Sequence, residues 1–221
     1  MKASKLFIQS DLERVSAAVK DAETRTSGEI VPYVVDRSDS YLEAEWRGGA
    51  LTGAVTLVMF VLHQRFSNSW WQPDLAQVII VSMIAFFAGA LVVRYAPICT
   101  RFLAGQATMD RRVHQKAVEA FVTEEIFSTR DRTGVLIFLS LLEHKVVVIG
   151  DSGINAKVKK SDWEEIVQLI IGGIQSKKAT DGLISAIAQC GDLLERTGVA
   201  IRKDDTDEIT DNLRLGDSSD R

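Results

Sequence analysis

Cysteine, histidine and proline are all scarce in this 221-residue chain, with two, three and three residues respectively. Cys99 and Cys190 stand in different contexts, with no CxxC pair and no metal spacing. They read as two free thiols of a reducing compartment rather than as a disulfide. His63, His114 and His144 are scattered, which excludes a histidine-based metal motif. An excess of one charge is missing too. The 26 basic residues face 30 acidic ones, a net charge of −4, so there is no general field for nucleic acid. The opening stretch MKASKLFIQSDLERV has no apolar run of signal-peptide length. Ser152 in GDSG lacks the flanking pattern of a nucleophile elbow, and Gly150 with Gly153 does not make a phosphate loop. Internal repeats are absent.

What the chain does have is apolar sequence, 46% of its residues, much of it in two stretches without charge. Gly48 to Leu62 is one and Leu75 to Val93 the other. At about 1.5 Å per helical residue, Trp46 to Phe66 and Leu75 to Tyr95 each extend roughly 30 Å, the thickness of a bilayer core. Trp46, Trp70, Trp71 and Tyr95 mark the ends, where amphipathic aromatics favour the headgroup region. The short link Ser67 to Asp74 makes the two helices antiparallel neighbours. Gly48, Gly49, Gly53 and Ala54 facing Ala85, Ala88 and Gly89 would let them pack closely. Residues 46–96 are thus expected to form a transmembrane helical hairpin, with His63, Gln64 and Arg65 reaching back to the interface. Arg37 and Arg47 precede the spans and Arg94, Arg101, Arg111 and Arg112 follow them, whereas the link contributes only Arg65. By the positive-inside rule, both termini and the soluble domain are cytoplasmic in an inner or plasma membrane. Arg101, Arg111, Arg112 and Lys116 would then lie at the membrane surface, within reach of anionic lipid at about 1 kcal/mol each.

The soluble parts, 1–45 and 108–200, read as one domain. Ser10 and Glu13 suggest a capping box opening a helix with Leu12, Val15, Val19 and Ala22 on one face, ended by Ser27-Gly28. Glu29 to Val35 is a strand, and Pro32 makes it an edge or bulged one. An amphipathic helix over Arg111 to Phe127 follows the hairpin. The stretch Thr133 to Gly153 then reads as two strands folded back through Glu143-His144. Val135 to Leu142 is interrupted only by Ser140, as befits a strand buried on both faces. Ser161 with Glu164 suggests a second capping box, opening a helix with Trp163, Ile166, Val167, Ile170, Ile171 and Ile174. Thr180 would cap a last helix, ended by Gly198. Residues 201–221, polar and acidic, are expected to be a disordered tail. The fold class is α/β: a small mixed sheet between helices, interrupted by the transmembrane hairpin. The first two strands should be parallel across their crossover.

Chemistry has few footholds. Asp131 precedes the central strand and Asp151 ends its antiparallel partner, so both lie at one end of the sheet, with Asp162 at the start of the next helix. Three carboxylates there would suit Ca2+ or Mg2+, and Arg130 and Arg132 could attract an anion. Each also reads as an ordinary turn or cap residue. At the other end, Asp36, Asp39, Glu143 and His144 would gather where strands meet a crossover, although Glu143-His144 reads most simply as a solvated hairpin tip.

The run FSTRDRTGVLIFLSLLEHKVVVIGDSGI, the Trp163 helix and KKATDGLISAIAQCGDLL resemble a TPM domain, and ERVSAAVKDAETRTSGEIVPYVV is similar to that family's first helix and strand. The likeness is most specific from Arg132-x-Gly134 to Gly153-Ile154. A hairpin inserted between the halves departs from family members whose soluble domain is uninterrupted. The resemblance implies an α/β sandwich and at most a weak metal-dependent acid phosphatase activity. Two functions follow as expectations. One is a non-enzymatic accessory or assembly factor whose partners are the bilayer and other membrane proteins, with a homo-oligomer as a further option. The other is a weak phosphatase using Asp131, Asp151 and Asp162.

Overall fold

Thr133–Gly153 does form the strand pair at the centre of a sheet, in a computed structural model that describes residues 2–66, 73–199 and 208–216. Strand β2 (Gly134–Ser140) is buried along its whole length and pairs antiparallel with β3 (Lys145–Gly150). On its other side β2 pairs parallel with β1 (Glu29–Val35), in register Glu29 to Gly134 through Val35 to Ser140. The order across the sheet is β3-β2-β1-β4, β4 being Arg214–Gly216.

Both faces of β1 and β2 are covered, which is why neither strand alternates apolar with polar residues. Ile30, Val34, Val135, Ile137 and Leu139 pack with Val15, Val19, Ile166, Ile170, Leu183, Ile187 and Leu194. Those partners come from α2 (Gln9–Glu23), α8 (Lys160–Gln175) and α9 (Ala179–Arg196). Val31, Val35, Leu136 and Phe138 pack instead with Val113, Ala117 and Ala120 of α6 (Gln106–Thr123). A short α1 (Ala3–Leu6) and α7 (Ser152–Asn155) complete this unit, which comprises Met1–Asp39 and Asp110–Arg221.

Several local expectations need correction. Helix α2 starts after Ile8, whose N–H is taken by Asp11 rather than by a Ser10–Glu13 box. Asp162, not Glu164, closes the box of α8 by accepting the Lys159 N–H at 3.1 Å. Helix α9 starts at Ala179, one residue before Thr180. Helix α6 begins earlier than Arg111 and ends at Thr123. Strand β1 is not a free edge, because Tyr33–Val35 pair with β4. Pro32 lies just outside that pairing. The Glu29 N–H points to β2, bonding the Thr133 carbonyl, and the Ile30 N–H points away, so by alternation the missing donor of Pro32 falls on the side away from β2. The tail at 201–221 is not wholly disordered. Residues 208–216 carry Leu213, 8% exposed, into the core and Ile209 onto the α6 side. Their apolar side chains find space beside a strand that still has backbone groups to pair. The rest of that tail, and Trp70 and Trp71 in the link, lie outside the described residues.

The second unit, Ser40–Met109, contains α3 (Leu42–Phe66), α4 (Leu75–Tyr95) and α5 (Pro97–Ala104). It is wider than the expected 46–96. Gly48, Gly49, Gly53 and Gly89 are buried inside the hairpin, whereas Ala54 and Ala88, expected in the same seam, are exposed. A Cβ on Gly48 would stand 2.3 Å from Val93, and one on Gly89 2.1 Å from the Thr52 hydroxyl. Thr52 Oγ1 crosses to the Ala85 carbonyl at 2.9 Å. Asp74 caps α4 by accepting the Gln77 N–H at 2.7 Å. By length and composition both long helices could cross a membrane, and only 6% and 11% of their most apolar stretches are buried. Leu51, Val58, Val61, Ile80, Ile84 and Phe87 all face outward.

Candidate functional site

The rim built by the segments entering β2 and leaving β3 is where the sequence placed its oxygen cluster. Asp151 follows β3 and caps α7, accepting the Ser152 N–H at 2.6 Å. It is 8% exposed, and its second oxygen, Oδ2, has no hydrogen-bond partner but lies 3.5 Å from Arg132 Nε. Arg132 takes a left-handed backbone (φ 58°), donates to the Phe127 carbonyl at 2.6 Å and stacks its guanidinium over the Phe127 ring.

Two glycines bring these segments together. The Gly153 N–H donates to the Arg132 carbonyl, and a Cβ on Gly153 would stand 2.5 Å from the Asp131 carbonyl oxygen. A Cβ on Gly134 would meet the Ile126 carbonyl at 2.2 Å. The motif from Arg132-x-Gly134 to Gly153-Ile154 therefore has a packing reason of its own: backbone meets backbone there, with no room for a side chain.

Asp131 is exposed on this rim. Asp162 is half-buried, with one oxygen on the Lys159 N–H and the other 3.5 Å from the Ser161 hydroxyl. Among the described residues no three His, Cys, Asp or Glu side chains converge as a ligand set. A divalent cation at Asp151 would meet one oxygen without a hydrogen bond, already opposite an arginine. That donor set does not fit a Ca2+ or Mg2+ centre, which takes six or more oxygens.

The opposite end of the sheet holds what the sequence reading undervalued. Glu143 is 2% exposed, not a solvated tip. It accepts the Ser38 N–H at 2.9 Å and the Ser140 hydroxyl, and the two serine hydroxyls bond each other at 2.9 Å. The parallel pairing continues past β1 and β2 through Leu141 N–H to the Val35 carbonyl and Leu142 N–H to the Asp36 carbonyl. This draws the Ser38 loop over the Glu143 turn. Ser140, the sole interruption in the apolar run, was the available signal: a polar residue inside a fully buried strand needs a partner. Asp36 accepts the Ala3 N–H, and Asp39 pairs with Arg112 at 2.7 Å.

Of the basic residues assigned to the membrane surface, Arg112 is thus held by Asp39, and Lys116 by Glu119 at 3.0 Å. Arg111 is exposed on α6, and Arg101 lies on α5.

No protein-family model matches the sequence, and no curated protein matches it. In fold the chain is similar to the BA42 protein of the psychrophilic bacterium Bizionia argentinensis, an NMR structure, at 19% identity and a TM-score of 0.60 over 97% of this chain and 99% of that one. At that identity the likeness concerns the fold: a mixed α/β unit with a small four-stranded sheet.

Proposed function

We propose that the chain is a membrane-anchored, non-enzymatic TPM-like accessory factor that helps assemble or maintain other membrane proteins. The observation that carries the anchor is the hairpin of α3 and α4. Its glycines are consumed in its own seam, while its large apolar side chains are left without protein cover over two lengths matched to a bilayer. In lipid such a surface is satisfied, whereas in water it would drive aggregation. Because the small-residue seam is internal, a protein partner would meet the outer faces of the hairpin or the soluble unit. The accessory role rests on the rim carboxylates: Asp151 and Asp162 hold helix starts, which is structural work.

An alkaline carbonate wash of membranes is the first test, with the protein expected in the pellet; release into the supernatant overturns the anchor. A reporter fused at Asn68 should be active only on the side away from the cytoplasm. Crosslinking at native levels should capture a membrane protein, and a chain that runs alone in mild detergent without crosslinked partners counts against the accessory role.

One observation favours a second reading, a weak acid phosphatase that draws on this rim without the divalent cation its donor set does not fit. Asp151 Oδ2 is buried without a hydrogen bond and faces Arg132, an arrangement able to meet an anion or an ion pair. Hydrolysis of a chromogenic phosphate ester that persists in both Asp131→Asn and Asp151→Asn excludes it.

A further inference from the structure

Helix α5 leaves the end of α4 at a fixed break and lies against the hairpin. Ala96 is extended (φ −103°, ψ 98°), and Pro97 takes the first helical position, where its missing N–H is not needed. Two bonds then hold the helix in place. Thr100 Oγ1 donates to the Val93 carbonyl at 2.6 Å, and Arg47 of α3 donates to the Leu103 carbonyl at 2.8 Å. The angle so set leaves a groove of about 640 Å³ between α5 and the two long helices, walled by Leu51, Val92, Val93, Ile98, Phe102 and Leu103. Thr52 also borders it, but turns its hydroxyl to the Ala85 carbonyl inside the seam, so the wall is apolar. Ile98 and Phe102, 81% and 85% exposed, stand one turn apart on the open side of α5.

The border of the groove is cationic. Arg47, Arg94 and Arg101 each adjoin a lining residue in the chain, Gly48, Val93 and Phe102 respectively. α5 carries no acidic side chain, and Arg94 stays half-exposed although Glu45 stands 3.9 Å away. An occupant that suits both wall and border has a long apolar tail and an anionic head. We infer that the groove seats one acyl chain of an anionic phospholipid, whose phosphate is met by Arg47, Arg94 and Arg101. The inference rests on the membrane anchor proposed above and gives it a preferred lipid. Guanidinium groups bind phosphate through paired N–H donors, which a neutral or apolar occupant would leave unused. Size separates a lipid from a partner helix. One helical turn, about 10–12 Å wide and 5.4 Å long, fills roughly 500 Å³. The groove encloses little more than that, whereas an extended acyl chain can run along it. An amphipathic helix such as α5 belongs at the headgroup boundary, where a phosphate would be found.

Native mass spectrometry of the full chain, released from mild detergent micelles doped with dioleoyl phosphatidylglycerol or dioleoyl phosphatidylcholine, tests this. One phosphatidylglycerol should stay bound, favoured over phosphatidylcholine by roughly fivefold or more, the effect of about one arginine near a lipid phosphate. Ala88→Trp fills an exposed lining position and should cut retention at least as far. Ala54→Trp, exposed on the hairpin outside the groove, should leave it unchanged. Arg94→Gln combined with Arg101→Gln should keep a lipid bound but abolish the preference. No retained lipid, equal retention of the two lipids, a preference that survives the double variant, or retention unchanged in Ala88→Trp each overturns the inference. So does a loss shared by Ala54→Trp, a second chain held in place of lipid, or a lipid mass that survives denaturation and is therefore an acyl group on Cys99. Failure of the anchor itself would show separately, as release of the wild-type chain by carbonate.

Discussion

Arg132 Nε stands 3.5 Å from Asp151 Oδ2, joining the residue that leads into β2 to the one that leaves β3. Asp151 also caps α7, and the two roles separate by substitution. Asp151→Ala loses both and should lower stability by about 1 kcal/mol, within the roughly 0.5–2 kcal/mol range of lost N-caps. Asp151→Asn keeps the acceptor for the Ser152 N–H and should cost less than half as much. Denaturant midpoints of the two variants decide this. Equal losses would mean that the ion pair, about half-exposed on its arginine side, matters more than the cap.

The close approach of backbone at the same rim predicts a sharp contrast among glycines. Gly153→Ala and Gly134→Ala place a methyl group 2.5 Å and 2.2 Å from carbonyl oxygens and should destabilise by roughly 2–4 kcal/mol or prevent folding. Gly172 in α8 has nothing within 4 Å of its Cβ position, so Gly172→Ala should stabilise by about 0.5–1 kcal/mol. Thermal melting of the three variants is the measurement.

The buried Glu143 turn predicts a graded series. Glu143→Gln retains an acceptor for the Ser38 N–H and should lose about 1 kcal/mol. Glu143→Ala leaves the Ser38 N–H and the Ser140 hydroxyl without that acceptor and should lose about 1–3 kcal/mol more. A fully solvated tip would give no difference between the two in an unfolding titration.

The two thiols should differ in accessibility to reagent. Cys190 is fully buried, and burial pushes its thiol up to about 12; Cys99 on α5 is half-buried. One equivalent of maleimide should react with the folded protein, and the second only after denaturation. Two fast equivalents in the folded state would contradict the packing of α9.

Much of this architecture was legible in residue pattern. The doubly buried strand, its antiparallel partner, the parallel pairing with Glu29–Val35 and the two long apolar helices all follow from runs of apolar residues and their punctuation. Helix starts were misplaced where several polar residues compete to cap. Ser10, Asp11 and Glu13 sit within one turn, and only geometry shows that Asp11 reaches the Ile8 N–H. The Glu143 cluster was hidden because its acceptor role depends on Ser38, far away in sequence. So was β4: Leu213 and Leu215 in an acidic tail look too few to fold, until a neighbouring strand offers them an edge. The candidate rim was legible as a location, but its Gly134 and Gly153 belong to packing.

The insertion between β1 and β2 also sets a timetable. About 105 residues separate the paired positions Glu29 and Gly134, with α3 and α4 between them. At roughly 5–20 residues per second of synthesis, β1 waits about 5–20 s for its first neighbour, and β4 is made later still. The strand at the heart of the parallel pairing is among the first pieces made and the last to be completed, and during that wait the apolar hairpin is the part already able to find its environment.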